Sequence, residues 1–197
     1  MVTLNSILTF LAFYFFYILL EVIQRRFKVK GEYTRKAAHV LTGLGAIFAS
    51  KLLHQKEFIF VTFVFLLVFI VSYKKRFFNS IHAVERKTYG EITYPLGILL
   101  IAIFSYNDPR IFIYGLLLLA VPDVAAYVVG KRKSVSSEKT YLGSFAYFVT
   151  ALVILITGFN LVQAVLIALM LAIVEFISPY GLDNLTVPIF YLLSLTL

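Results

Sequence analysis

The chain of 197 residues contains no cysteine and no tryptophan. Without thiols it can make no disulfide, no thiolate metal site and no cysteine nucleophile. Charge is also scarce. Asp, Glu, Lys and Arg together make up 14% of the chain, where a soluble domain carries about 25%. Proline occurs 5 times and glycine 10 times, which leaves no room for a Pro- or Gly-rich linker or low-complexity segment. Apolar side chains fill the rest: 61% of residues are hydrophobic and the mean hydropathy is +0.92. Such a chain has too little polar surface to cover itself in water, so a soluble globule is excluded and the bilayer is its solvent.

Apolar runs fall near 4–24, 38–53, 58–73, 92–106, 111–129, 143–158, 160–177 and 185–197. A helical crossing takes about 20 residues, so several runs are short, and the last fits an interfacial or half-crossing helix. The runs are continuous rather than alternating in ten-residue segments, which argues against a transmembrane barrel. The expected fold is an all-α integral membrane protein, a polytopic bundle of seven to eight transmembrane helices with eight preferred, forming a single domain over residues 1–197. The first run is preceded by no Lys or Arg and followed by Arg25, Arg26, Lys28 and Lys30. That is the charge order of a first span with its N-terminus outside, not of a secretory signal peptide.

The net charge of +8 by itself suits a nucleic-acid partner, but its distribution points elsewhere. Fifteen of the 18 Lys and Arg residues lie in the first, third and fifth breaks between runs, and only Lys51, Lys56 and Arg110 lie in the others. Short cytoplasmic loops carry the Lys/Arg excess, so the odd breaks are expected at the cytoplasmic face. Eight of the ten carboxylates lie on or near that side, with Glu57 and Asp108 as exceptions. A polar site at one membrane face, handling a phosphate-bearing substrate, accounts for this better than nucleic acid does.

Asp123 sits inside the fifth apolar run, about seven residues before its cytoplasmic end and so roughly 10 Å below the helix mouth. A carboxylate at such depth costs about 2.5–3.5 kcal/mol on insertion scales and should face a cavity with a partner or metal. Pro122 beside it frees backbone carbonyls that are tolerable only around a cavity. Downstream, Gly130 and Lys131 open a basic, hydroxyl-rich stretch that runs through Lys139, Thr140, Gly143 and Ser144. It offers ammonium groups, hydroxyls and glycine-flanked N–H groups to a polyphosphate. Lys131 to Lys133 serve equally well as a patch for anionic headgroups. Glu175 and Asp183 flank a loop with no basic residue; hard oxygen ligands of this kind suit Mg²⁺, and helix capping by Asp183 or Asn184 is the other reading. Arg35 and His39 are spaced i, i+4, so on a helix they share a face and can meet one anion. His54 and His82 have no partner pattern.

Taken in order, these elements resemble the polyprenol kinase family, which includes phytol kinase, dolichol kinase and the CTP-dependent diacylglycerol kinase. The resemblance rests on Arg35-Lys36-x-x-His39, the block ERKTYGEITYPLG from Glu85 to Gly97, Asp123-x-x-Ala126 with Gly130, Lys139-Thr140-x-x-Gly143-Ser144, Glu175, and Gly181-x-Asp183-Asn184-Leu185 with Pro188. It covers about residues 35 to 188. It implies transfer of the γ-phosphoryl group of a nucleoside triphosphate, usually CTP, to a lipid alcohol such as an isoprenoid alcohol, with Mg²⁺. On that expectation Asp123, Glu175 and Asp183 hold the metal, while Asp123, Lys139 and His39 serve catalysis. Arg35, Lys36, Glu85, Arg86, Lys87, Gly130, Lys131, Thr140, Gly143, Ser144 and Asn184 bind the nucleotide. The partners are then a lipid alcohol, a nucleoside triphosphate and membrane lipids, at the cytoplasmic face of the cell membrane, or of the ER membrane in a eukaryote. A CTP-dependent cytidylyltransferase making a CDP-activated lipid is the alternative, and a transporter is a third reading that the charge-poor outer breaks disfavour.

Overall fold

The computed structural model describes residues 3–75, 88–130 and 139–195. Among them are nine helices and no strand: α1 Leu4–Phe27, α2 Gly31–Ala49, α3 Gln55–Lys75, α4 Gly90–Ser105, α5 Pro109–Ala120, α6 Pro122–Gly130, α7 Tyr141–Leu155, α8 Leu161–Ile177 and α9 Asp183–Ser194. Three stretches are long and apolar enough to cross a membrane, Leu4–Phe27, Gln55–Lys75 and Pro109–Gly130; α4, α7 and α8 are apolar but shorter. Their outer faces carry exposed large apolar side chains such as Leu4, Phe15, Leu166 and Ile173. An apolar exterior of this kind suits contact with lipid chains rather than water.

Local chemistry sets the helix ends. Thr3, Asp108, Thr140 and Asn160 each accept a backbone N–H in the first turn of the helix they open, satisfying donors that have no intrahelical partner. The run 111–129 is not one helix. Pro122 carries no N–H and starts a new helix after Val121, whose own N–H closes α5 on Leu117. The break places Asp123 in the first turn of α6, where a negative side chain is favoured by the helix dipole. The second helix begins seven residues before the apolar run that was expected to define it, so Arg35, Lys36 and His39 lie within α2 and are buried. The last helix has 12 residues, fewer than a perpendicular crossing needs.

Packing divides the interior into two apolar clusters. The first joins α1 to α5 through Tyr17, Ala46, Phe65, Ile101, Phe112 and Leu116. The second joins α5 to α9 through Leu118, Tyr147, Ala151, Ala168, Leu171 and Tyr191. Small residues at Ala151, Ala164 and Ala168 are fully buried and allow α7 and α8 to approach closely, the usual device where lipid removes any hydrophobic drive between helices. Helix α5 contributes to both clusters and so joins the two halves of the bundle.

The start of α9 is sewn to the start of α4. The Tyr89 N–H donates to the Tyr180 carbonyl at 2.9 Å, the Thr93 hydroxyl donates to the Gly181 carbonyl at 2.6 Å, and the Asn184 amide donates to the Gly90 carbonyl at 3.4 Å. Gly181 takes φ +76°, a conformation that side chains rarely tolerate. Where the two helices cross, a Cβ on Gly97 would strike the Asn184 carbonyl and lie 3.1 Å from Pro188 Cγ. Gly97→Val should therefore lower stability by about 1–3 kcal/mol through overpacking, measured by denaturation in detergent. A stability equal to that of the parent would show that α4 and α9 do not approach this closely.

Candidate active site

Three carboxylates from three helices converge. One oxygen each of Asp123 in α6, Glu175 in α8 and Asp183 in α9 lie within 4.8 Å of one another. Their side chains retain 18%, 5% and 13% of their exposure, so all three sit in a largely desolvated place. Two lysines neutralise them. Lys36 of α2 donates to Asp123 Oδ2. Lys139 stands between Glu175 Oε1 at 2.8 Å and Asp183 Oδ2 at 2.9 Å, and also donates to the Glu175 carbonyl. Burial on its own lowers the Lys139 ammonium, but the Asp183 and Glu175 carboxylates outweigh it and hold the group above the ordinary lysine value.

Around this core lie further residues picked out by the sequence. His39 places Nδ1 3.9 Å from Asp123 Oδ2. The His39 ring stacks on Tyr94 with centroids 4.2 Å apart, and the Tyr94 hydroxyl donates to the His39 carbonyl. The Arg35 guanidinium is buried against Gly90, where a Cβ would come within 2.6 Å of Nη2. Asp183 does not cap α9: Leu182 is the N-cap, with no side-chain cap. One Asp183 oxygen instead accepts the Asn184 N–H at 3.0 Å while the other faces Lys139. Thr140 is engaged in capping α7 through the Gly143 N–H at 3.1 Å. Gly130 and Gly143 let α6 and α7 approach, since a Cβ on Gly143 would lie 3.0 Å from the Ala126 carbonyl. Glu85, Arg86, Lys87 and Lys131 lie outside the described residues.

Several buried polar atoms find no partner among the described residues: Glu175 Oε2, His39 Nδ1, Arg35 Nε and Nη1, Ser144 Oγ and Tyr147 Oη. Native interiors seldom leave such groups unpaired, and an ion or ligand is a common reason when they do. Hard oxygen donors with an unsatisfied carboxylate oxygen fit a divalent cation such as Mg²⁺, and an unsatisfied guanidinium fits a phosphate. Sequence reasoning passed over Tyr94, Thr93 and Tyr147. The first two lie within the Glu85–Gly97 block, whose density of polar residues was the available signal. Nothing in the local pattern distinguishes Tyr147 from lipid-facing aromatics.

The Lys36–Asp123 pair has a stability signature that is independent of any reaction. Lys36→Met leaves a buried carboxylate without its counter-charge and should cost about 3–5 kcal/mol. The double variant K36M/D123N should recover most of that loss. Denaturation of the four proteins in detergent gives the coupling energy; additive single effects would show that the two groups do not interact in the folded chain.

No family model and no solved structure matches the chain. Among curated proteins, the chain is similar to the phytol kinase of Synechocystis sp., with 28% identity over 187 residues that cover 86% of this chain and 80% of that one. The likeness extends over most of the chain.

Proposed function

We propose that the protein is a membrane-embedded lipid kinase that transfers the γ-phosphoryl group of a nucleoside triphosphate, CTP by preference, to an isoprenoid alcohol. The observation that carries this reading is the meeting of Asp123, Glu175 and Asp183 within 4.8 Å, with Lys36 and Lys139 bonded to the same three carboxylates. Phosphoryl transfer asks for little covalent chemistry from a protein and much positioning and charge neutralisation. A desolvated set of hard oxygens interleaved with lysines supplies both, and the similarity to a phytol kinase points the chemistry toward an alcohol acceptor.

Each group then has a task. Asp123, Glu175 and Asp183 would hold Mg²⁺, which when bound neutralises charge on the phosphate oxygens. Lys139, already tied to Glu175 and Asp183, and Arg35, whose Nε and Nη1 find no partner among the described residues, bind the triphosphate. Lys36 neutralises Asp123 and holds it in place. Asp123, with His39 Nδ1 beside it at 3.9 Å, orients the alcohol hydroxyl and receives its proton as the oxygen attacks the γ-phosphorus. The new O–P bond forms as the β–γ bridging bond breaks, and the nucleoside diphosphate leaves. Sinking the carboxylates below the helix mouths lets a lipid alcohol arrive sideways from the bilayer and the nucleotide arrive from water.

The membrane arrangement belongs to the same proposal: seven to eight crossings with the N-terminus outside and the site at the cytoplasmic face. It is supported by the Lys/Arg-rich breaks at the ends where α1, α3 and α6 finish and α2, α4 and α7 begin. Reporters placed at 28–30 and at 107–108 should read as cytoplasmic and external respectively; the same side for both would overturn the topology.

Purified protein given CTP labelled at the γ-phosphate, Mg²⁺ and isoprenoid alcohols from C5 to C20 should move label into lipid. CDP-lipid with release of pyrophosphate would establish the cytidylyltransferase instead, and no lipid product with any alcohol would sink both. Asp123→Asn should lower kcat at least 100-fold, in line with loss of a general base, while the protein still inserts in the membrane. Near-parental turnover would remove Asp123 from the mechanism.

A further inference from the structure

An apolar cavity lies between α1, α2, α3 and α4, away from the carboxylates. Phe13, Ala46, Ala49, Phe58, Phe65 and Ile98 form part of its wall, and the space between them opens in part to the outside. Five of its lining residues carry a hydroxyl, Thr9, Tyr17, Thr42, Thr62 and Tyr94. Tyr17 and Thr42 hydroxyls lie 2.7 Å apart, and the Tyr94 hydroxyl is donated to the His39 carbonyl. The rest of the wall is apolar, which favours an apolar guest over water.

The cavity adjoins the candidate active site along one face of α2. Arg35, His39, Thr42, Ala46 and Ala49 follow at steps of three and four residues, so they share that face. The stripe is cationic at its start, reaches Asp123 at His39, and lines the cavity from Thr42 onward. Tyr94 joins the two regions. One side of its ring stacks on His39 and the residue also lines the cavity. Helix α1 covers the cavity from the lipid side and buries few side chains in doing so, among them Thr9 and Tyr17.

We infer that this cavity holds the hydrocarbon chain of the acceptor alcohol, with the hydroxyl end passing Tyr94 to reach Asp123. The inference rests on the kinase reading above and adds to it where the lipid lies and how much of it is gripped. From Thr42 to Ala49, the last residue of α2, the lining advances about 10 Å at 1.5 Å per residue. An isoprene unit, four carbon–carbon bonds in a zigzag, advances about 5 Å. The cavity thus engages about two units, which selects alcohols of C10 and longer over a C5 alcohol. Entry is by displacement of α1, directly from the bilayer.

The test uses a C20 isoprenyl alcohol carrying a photoreactive diazirine on its terminal isoprene unit, with the whole protein in phospholipid nanodiscs and no nucleotide present. Labelled peptides should come from residues 42–53 and 58–69. Excess unlabelled C20 alcohol should displace the label, and added phospholipid should not. Ala46→Phe fills the cavity and should cut labelling at least tenfold while the protein elutes as the parent does; Ala49→Leu, a smaller intrusion, decides the same question if Ala46→Phe fails to fold. Labelling on α7 or α8, displacement by phospholipid, or undiminished labelling of a folded filled variant would overturn the assignment. Turnover separates this from the kinase reading. Labelling at α2 and α3 without phosphorylation of any alcohol removes the kinase and keeps the cavity as an isoprenyl-chain site; phosphorylation with labelling elsewhere does the reverse.

Discussion

Two lysines bonded to three carboxylates hold the two halves of this helical bundle in register. Lys36 reaches from α2 to Asp123 on α6, and Lys139 ties the loop before α7 to Glu175 on α8 and Asp183 on α9. Each carboxylate alone would be expensive in a low-dielectric interior, and each is tolerable because a cation meets it with good geometry. Removing one partner leaves the other stranded, so the helices that carry them are constrained together. The same requirement that makes the pairs structural concentrates charge at one place, which is what phosphate chemistry needs. Structure and candidate function thus draw on one set of side chains.

The backbone makes that meeting possible in three places. Pro122 ends α5 early and turns Asp123 into a first-turn residue of a new helix. Gly181, at positive φ, lets the Tyr180–Gly181 carbonyls receive Tyr89 N–H and the Thr93 hydroxyl. Gly97 lets α4 cross α9 at the Asn184 carbonyl. All three are residues whose backbone properties matter more than their side chains, and together they bring Asp183 beside Lys139. A side chain at Gly97 or Gly181 would displace α9 from this position.

Much of this was legible in the residues. Asp123 stood out because a lone carboxylate within an apolar run has to be accounted for, and Glu175 and Asp183 because their loop holds acids without a base. The proximity of the three could not be read from the chain, since their separations of 52 and 8 residues say nothing about distance across a bundle. Lys36 was legible as a phosphate ligand but not as the partner of Asp123, 87 positions away. The boundaries were the weakest part. The apolar run of α2 begins near residue 38, with Arg35, Lys36 and His39 expected to open the span, yet the helix begins at Gly31 and buries all three. The residues alone allow Asp183 to be a helix cap or a ligand; in the fold it caps nothing, and one of its oxygens accepts from Lys139.

By itself the sequence determined the solvent, the secondary structure and the crowding of charge toward one set of helix ends, because these depend on hydropathy, length and local counts. Only the tertiary structure decided which carboxylate meets which lysine, and that the α2 stripe running from Arg35 past His39 continues into an apolar cavity. Both are consequences of how helices cross. A crossing is set by small residues and close backbone contacts distributed over the whole chain, and no local pattern carries that information.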